Sequence, residues 1–97
     1  MVRDADHIEV GLLQWNDENR EHIARHGLEP EDVESVRTGE PLFFHNLPDR
    51  IASHIMIGYD AKGRALYVAL RRIEGTIWMV VTAWQSRRAQ RILEADK

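Results

Sequence analysis

LLQWNDENREHIARHGLEPEDVESV, residues 12–36, joins the end of an apolar strand to two short helices. Asn16 is a good N-cap, because its side-chain oxygen can accept an orphan backbone N–H of the first turn. Asp17 and Glu18 follow, where acids complement the positive end of the helix dipole. The pattern predicts a helix to His26, with Gly27 at the C′ position that favours a left-handed backbone. Asn19, His22, Ile23 and His26 share one face by i, i+3, i+4 spacing. Pro30 suits a first helical turn and predicts a second helix ending near Thr38-Gly39, with Val33 and Val36 buried beside Leu28.

Upstream, Ile8, Val10 and Leu12 alternate, and Leu13 breaks the period, so Ile8–Trp15 reads as an extended segment. Residues 1–7 form a polar start. Downstream the chain reads mainly as strands. Leu42-Phe43-Phe44 is an apolar run, and Asn46-Leu47-Pro48-Asp49 has turn chemistry. Arg50–Tyr59 alternates, with Ile51, Ser53, Ile55, Ile57 and Tyr59 on one face. Asp60-Ala61-Lys62-Gly63 closes a hairpin. Arg64–Arg72 puts Leu66, Val68 and Leu70 on one face and Ala65, Tyr67 and Ala69 on the other. After Glu74-Gly75, Thr76–Trp84 is apolar on both faces and reads as a central strand. A basic helix from Ser86 to about Ala95 ends the chain. The expected fold is α+β, with two N-terminal helices and a C-terminal helix packed on an antiparallel sheet of four to five strands.

The 97 residues make one domain, residues 1–97, with one modest core. No apolar run approaches the roughly 18 residues of a membrane span. The acidic MVRDADHIEV start lacks the apolar region of a secretory signal, and there are no cysteines, so a cytoplasmic protein without membrane association is expected. The net charge of −3 conceals an asymmetry. Residues 1–60 carry five basic against thirteen acidic side chains, and residues 61–97 carry eight against three. The basic part holds Lys62, Arg64, Arg71, Arg72, Arg87, Arg88, Arg91 and Lys97. It either meets a polyanion or acidic partner, or neutralises the acidic half across the fold.

Three motifs in order carry a family resemblance. The first is W-x-x-x-N-x-x-H-I-x-x-H-G-L, met by Trp15, Asn19, His22, Ile23, His26, Gly27 and Leu28, with Pro30, Glu31, Asp32, Val33, Glu34 and Val36 behind it. The second is I-G-x-x-x-x-G-R-x-L-x-V, met by Ile57, Gly58, Gly63, Arg64, Leu66 and Val68. The third is a strand ending in Thr82-Ala83 before a helix with Arg88 and Arg91. Over residues 9 to 92 the chain resembles the BrnT family of bacterial toxins, small proteins of RelE-like, barnase-type ribonuclease fold. It departs from that family where Ser53 and Trp84 stand at usually basic positions, and where Gln90 precedes Arg91 in place of an acid.

The resemblance implies the toxin of a type II toxin–antitoxin system. The implied activity is metal-independent endoribonuclease chemistry on RNA, without a cofactor. The implied partner is a cognate antitoxin with a ribbon-helix-helix DNA-binding part. A homo-oligomer is compatible with so short a chain. RNA cleavage through the 2′-hydroxyl needs a base, cations for the phosphorane charge and a proton for the leaving oxygen. The catalytic candidates are Arg64, Arg72, His54 and His22. The RNA-binding candidates are Arg71, Arg87, Arg88, Arg91 and Trp84, an aromatic side chain suited to stacking on an unpaired base.

Each has a plainer alternative. Arg64 can pair with Asp60, and the last helix can simply present a solvated basic face. Arg71 and Arg72, as strand neighbours, must point to opposite faces. His22 and His26 have H-x-x-x-H spacing, but Ile23 stands where a zincin has glutamate, so no metal site is expected. Loss of catalysis through the Ser53, Trp84 and Gln90 departures would leave a partner-binding or oligomerising module.

Overall fold

The computed structural model describes residues 2–3 and 8–96; the remainder of the polar start, and Lys97, lie outside the described residues. Its elements are β1 (Val2–Arg3), β2 (Leu12–Gln14), α1 (Asp17–Ala24), α2 (Pro30–Arg37), β3 (Leu42–His45), β4 (His54–Tyr59), β5 (Ala65–Glu74), β6 (Ile77–Gln85) and α3 (Arg87–Ala95). They form one sheet in the order β1-β3-β4-β5-β6-β2. The fold is α+β, with three helices on a sheet, as the sequence indicates. The sheet edges differ from expectation. There are six strands, and β2 runs parallel to β6, with Leu12, Leu13 and Gln14 opposite Ile77, Trp78 and Met79. The other pairings are antiparallel.

The alternation in β5 is what organises the core. Leu66, Val68 and Leu70 join Ile23, Leu28, Val33, Val36, Met56, Trp78 and Val80 in one cluster under α1 and α2. Ala65 and Ala69, with Tyr67 beside them, join Ile55, Ile57, Phe44 and Ala89 in a second cluster under α3. Both faces of the central strands are therefore buried. Each large apolar side chain so placed stabilises the fold by about 1.5–3 kcal/mol. Gly58 lets α2 approach β4, because a Cβ there would stand 2.9 Å from Val36 Cγ1.

Much of the N-terminal motif is explained by folding. Asn16 and Asn19 form a reciprocal cap: each side-chain oxygen accepts the other's backbone N–H at 2.8 Å. Asn19 is buried, and its amide also donates to the Gln14 carbonyl at 2.9 Å, fixing the strand-to-helix corner. Trp15 Nε1 donates to Glu34 at 3.2 Å, tying β2 to α2. Ile23 is fully buried, and Gly27 takes φ +75° after the helix. The α1 helix is shorter than the spacing predicts, so His26 stands in the closing turn rather than in the helix.

Trp78 anchors the other end. Its side chain is fully buried, and its Nε1 donates to the Glu9 carbonyl at 3.1 Å, holding the extended segment before β2. The β6 strand is central for only part of its length. The β2 strand pairs with Ile77–Met79 and then turns into α1, which leaves the second half of β6 as a sheet edge. Pairing with β5 also slips between Ala69 and Leu70, so Val81 is an extra residue on β6.

Candidate functional site

At the edge of β6 that no strand pairs, α1 places a histidine whose tautomer is fixed. Spacing puts His22 on the α1 face turned toward β6, and its Nδ1 lies 3.1 Å from the Val81 carbonyl oxygen. A carbonyl only accepts, so Nδ1 carries the hydrogen, and in the neutral ring Nε2 keeps its lone pair. His22 lines a groove of about 330 Å³ with Asn16, Glu18, Arg71, Met79 and Val81. Arg71 reaches across β6, with Nη2 donating to Met79 Sδ at 3.7 Å. A base with a fixed tautomer and a permanent cation thus share one concavity.

Next along the same edge lies a shallower groove of about 480 Å³, lined by His26, Thr82, Trp84 and Gln85. The Trp84 indole stacks on Tyr67, with ring centroids 4.5 Å apart and 26° between planes. His26 stands 6.2 Å from Trp84, centroid to centroid. Burial pushes the Tyr67 hydroxyl up from its ordinary pKa, and the positive charges of Arg88 and then Arg50 pull it partly back. Arg88 belongs to α3 and Arg50 to the β3–β4 loop.

The four catalytic candidates do not come together. His54 and Arg72 meet on Trp78, on the sheet face covered by α1 and α2. The His54 ring stands edge-on to the indole at 5.1 Å, and the Arg72 guanidinium lies 4.8 Å over its centre. His45, the cross-strand neighbour of His54, joins them with ring centroids 4.8 Å apart. Sequence gave no sign of that pairing, which depends on the β3–β4 register. Arg71 and Arg72 do point to opposite faces. Arg87, Arg88 and Arg91 are exposed on α3, whose apolar side is Ala89, Ile92 and Leu93. Among the described residues, no group of three or more His, Asp or Glu is arranged to hold a metal ion. No helix among them is long and apolar enough to cross a membrane.

Arg64 lies in a different setting. Its Nε donates to Asp60 Oδ2 at 2.8 Å, and its Nη2 sits 2.7 Å from Asp60 and 3.1 Å from Asp32. The Nη2 contacts are charge pairs rather than aligned hydrogen bonds. Lys62 adds a contact to Asp32 at 3.2 Å. The cluster bolts the start of α2 to the β4–β5 hairpin, and it explains the Gly-Arg of the second motif without any chemistry. Burial pushes the Asp32 carboxyl up. The Glu29 N–H, Lys62 and Arg64 outweigh that and hold it below its ordinary 3.8.

A carboxylate whose pKa is depressed on folding stabilises the fold above its unfolded pKa, about 3.9, and loses that contribution as pH falls through the folded value. Urea unfolding at pH 7 and at about pH 3 tests this. The wild type is expected to lose stability on acidification. Asp32→Asn should start weaker at pH 7 and lose less. Equal acid losses in the two proteins would place the sensitive group elsewhere.

The departures from the family pattern have local explanations. Ser53 Oγ is 2.8 Å from His54 Nδ1. Gln90 Nε2 donates to Glu94 at 3.0 Å on the exposed side of α3, away from both grooves. Trp84 forms the aromatic pair with Tyr67. The residues that spacing alone did not single out are Tyr67, Arg50 and His45. Comparison with known proteins returned no matching family, no matching curated protein and no matching solved structure.

Proposed function

We propose that this protein is the cytoplasmic toxin of a type II toxin–antitoxin pair, similar to the BrnT family, and that it cleaves RNA without a metal. The single observation that carries this reading is the His22–Arg71 groove. It joins a base of defined tautomer to a cation, within a fold of the expected α+β class. In this scheme His22 Nε2 takes the proton of an RNA 2′-hydroxyl. The 2′-oxygen bonds to the adjacent phosphorus, and the bond from phosphorus to the 5′-oxygen breaks. Arg71 holds the charge that builds on the phosphorane. The departing 5′-oxygen takes a proton from water on the open side of the groove. Arg88, Arg87 and Arg91 supply phosphate contacts on the approach, with Trp84 for an unpaired base. A cognate antitoxin of ribbon-helix-helix type is the expected partner.

The second reading is a catalytically silent, partner-binding module. It is favoured by Arg64, which two carboxylates hold as a structural group, and by Trp84 standing where the family has a cation. Induced expression in a bacterial host lacking an antitoxin separates the two. Growth arrest with fragmented RNA is expected. Normal growth with soluble, folded protein and intact RNA would replace the enzyme with the binding module.

A further inference from the structure

We propose that the groove beside Trp84 is a slot for one unpaired purine base, adenine in preference, which sets where along an RNA strand this protein binds. The inference rests on the RNA reading above and adds a specificity to it. The slot has the three parts that single-strand base recognition needs. Its wall is the Trp84 indole, braced from behind by Tyr67 at 4.5 Å, so one indole face is held in place. A base stacks on such a face whatever its identity.

Its second ring is His26, exposed in the turn after α1, 6.2 Å from Trp84 and tilted 49° to it, so the imidazole borders the indole rather than forming a second parallel wall. Its rim is polar. Gln85 offers a donor and an acceptor on one amide, the pattern that pairs with the N6 amino group and N7 of adenine. Thr82 adds a hydroxyl, and no carboxylate lines the groove to repel a nucleotide phosphate. The volume of about 480 Å³ admits a purine. Arg88, exposed four residues after Trp84 in the first turn of α3, supplies a cation for the attached phosphate.

The slot opens on the same β6 edge as the His22–Arg71 groove, because Val81 lines one and Thr82 the other. A strand seated with a base on Trp84 therefore runs its backbone toward His22.

The test is titration of the full chain with AMP, GMP, CMP and UMP, followed through backbone amide NMR shifts of Thr82, Trp84 and Gln85, with RNA cleavage read separately. AMP is expected to bind most tightly and to shift those amides first. Gln85→Leu, a change at an exposed position, should remove about tenfold of the preference for AMP over UMP, the discrimination of one bidentate pair. Trp84→Leu should weaken all four by about tenfold, the loss of one stacking contact. Equal binding of the four nucleotides, insensitivity to both substitutions, or no shift at these amides overturns the slot even if RNA is cleaved. Selective AMP binding without any cleavage keeps the slot and removes the ribonuclease.

Discussion

His22→Gln is expected to lower RNA cleavage by about two to four orders of magnitude, the range that a positioned general base supplies. Glutamine keeps an N–H that can reach the Val81 carbonyl, so the link between α1 and β6 survives while the proton acceptor is lost. Unfolding temperature should change little, which makes cleavage of a defined RNA by purified protein the deciding measurement. Arg71→Met tests the other half of the groove. Losing the cation should cost about a hundredfold or more, because charge developing in the transition state is left unbalanced. His54→Gln and Arg72→Met serve as controls, since both residues pack against Trp78 and neither lines the His22–Arg71 groove. If His22→Gln cleaves like the wild type while His54→Gln does not, the chemistry belongs to the Trp78 cluster.

Arg64→Ala carries the largest expected effect on stability. The Asp60 side chain is fully buried, and it faces Arg64 and the backbone N–H groups of Lys62 and Arg64. Removing one partner of a buried pair costs about 3–5 kcal/mol, because the other charge stays desolvated. For a domain of this size each kcal/mol moves the midpoint by about 4–8 °C, so a fall of at least about 12 °C is expected in calorimetry. Joint replacement, Asp60→Asn with Arg64→Met, should recover part of the loss. Cleavage per folded molecule at low temperature should stay close to wild type. A stable Arg64→Ala protein that no longer cleaves would make Arg64 part of the chemistry and not of the scaffold.

The contrast between Arg64 and His22 shows what could be seen beforehand. Both were catalytic candidates, and nothing in spacing separates them. Arg64 follows a turn glycine four residues after Asp60, so its local partner was visible. Asp32 was not, because it arrives from α2 across the sheet. His22 was legible as one of two histidines on a helix face. What gives it a defined tautomer is the carbonyl of Val81, which is bare because β2 stops pairing at Met79 and because β6 carries an extra residue. Neither event has a sequence signature. The same holds for β6 itself, whose apolar composition suggests a central strand and whose second half is an edge sheltered by α1.

The sequence by itself determined the local and periodic parts. These are the Asn16 cap, the Gly27 and Gly63 turns at positive φ, the alternation that assigns Leu66, Val68 and Leu70 to one face of β5, and the opposite directions of Arg71 and Arg72. Each depends on neighbours within a few residues, where backbone geometry leaves little choice. Tertiary structure decided which candidates share a site. It joined His54 to His45 and Trp78, gave Arg64 to two carboxylates, stacked Trp84 on Tyr67, and set His22 opposite Arg71 at an open strand edge. Those meetings depend on strand order, register and one bulge, and these follow from burying both sheet faces at once rather than from any short stretch of the chain.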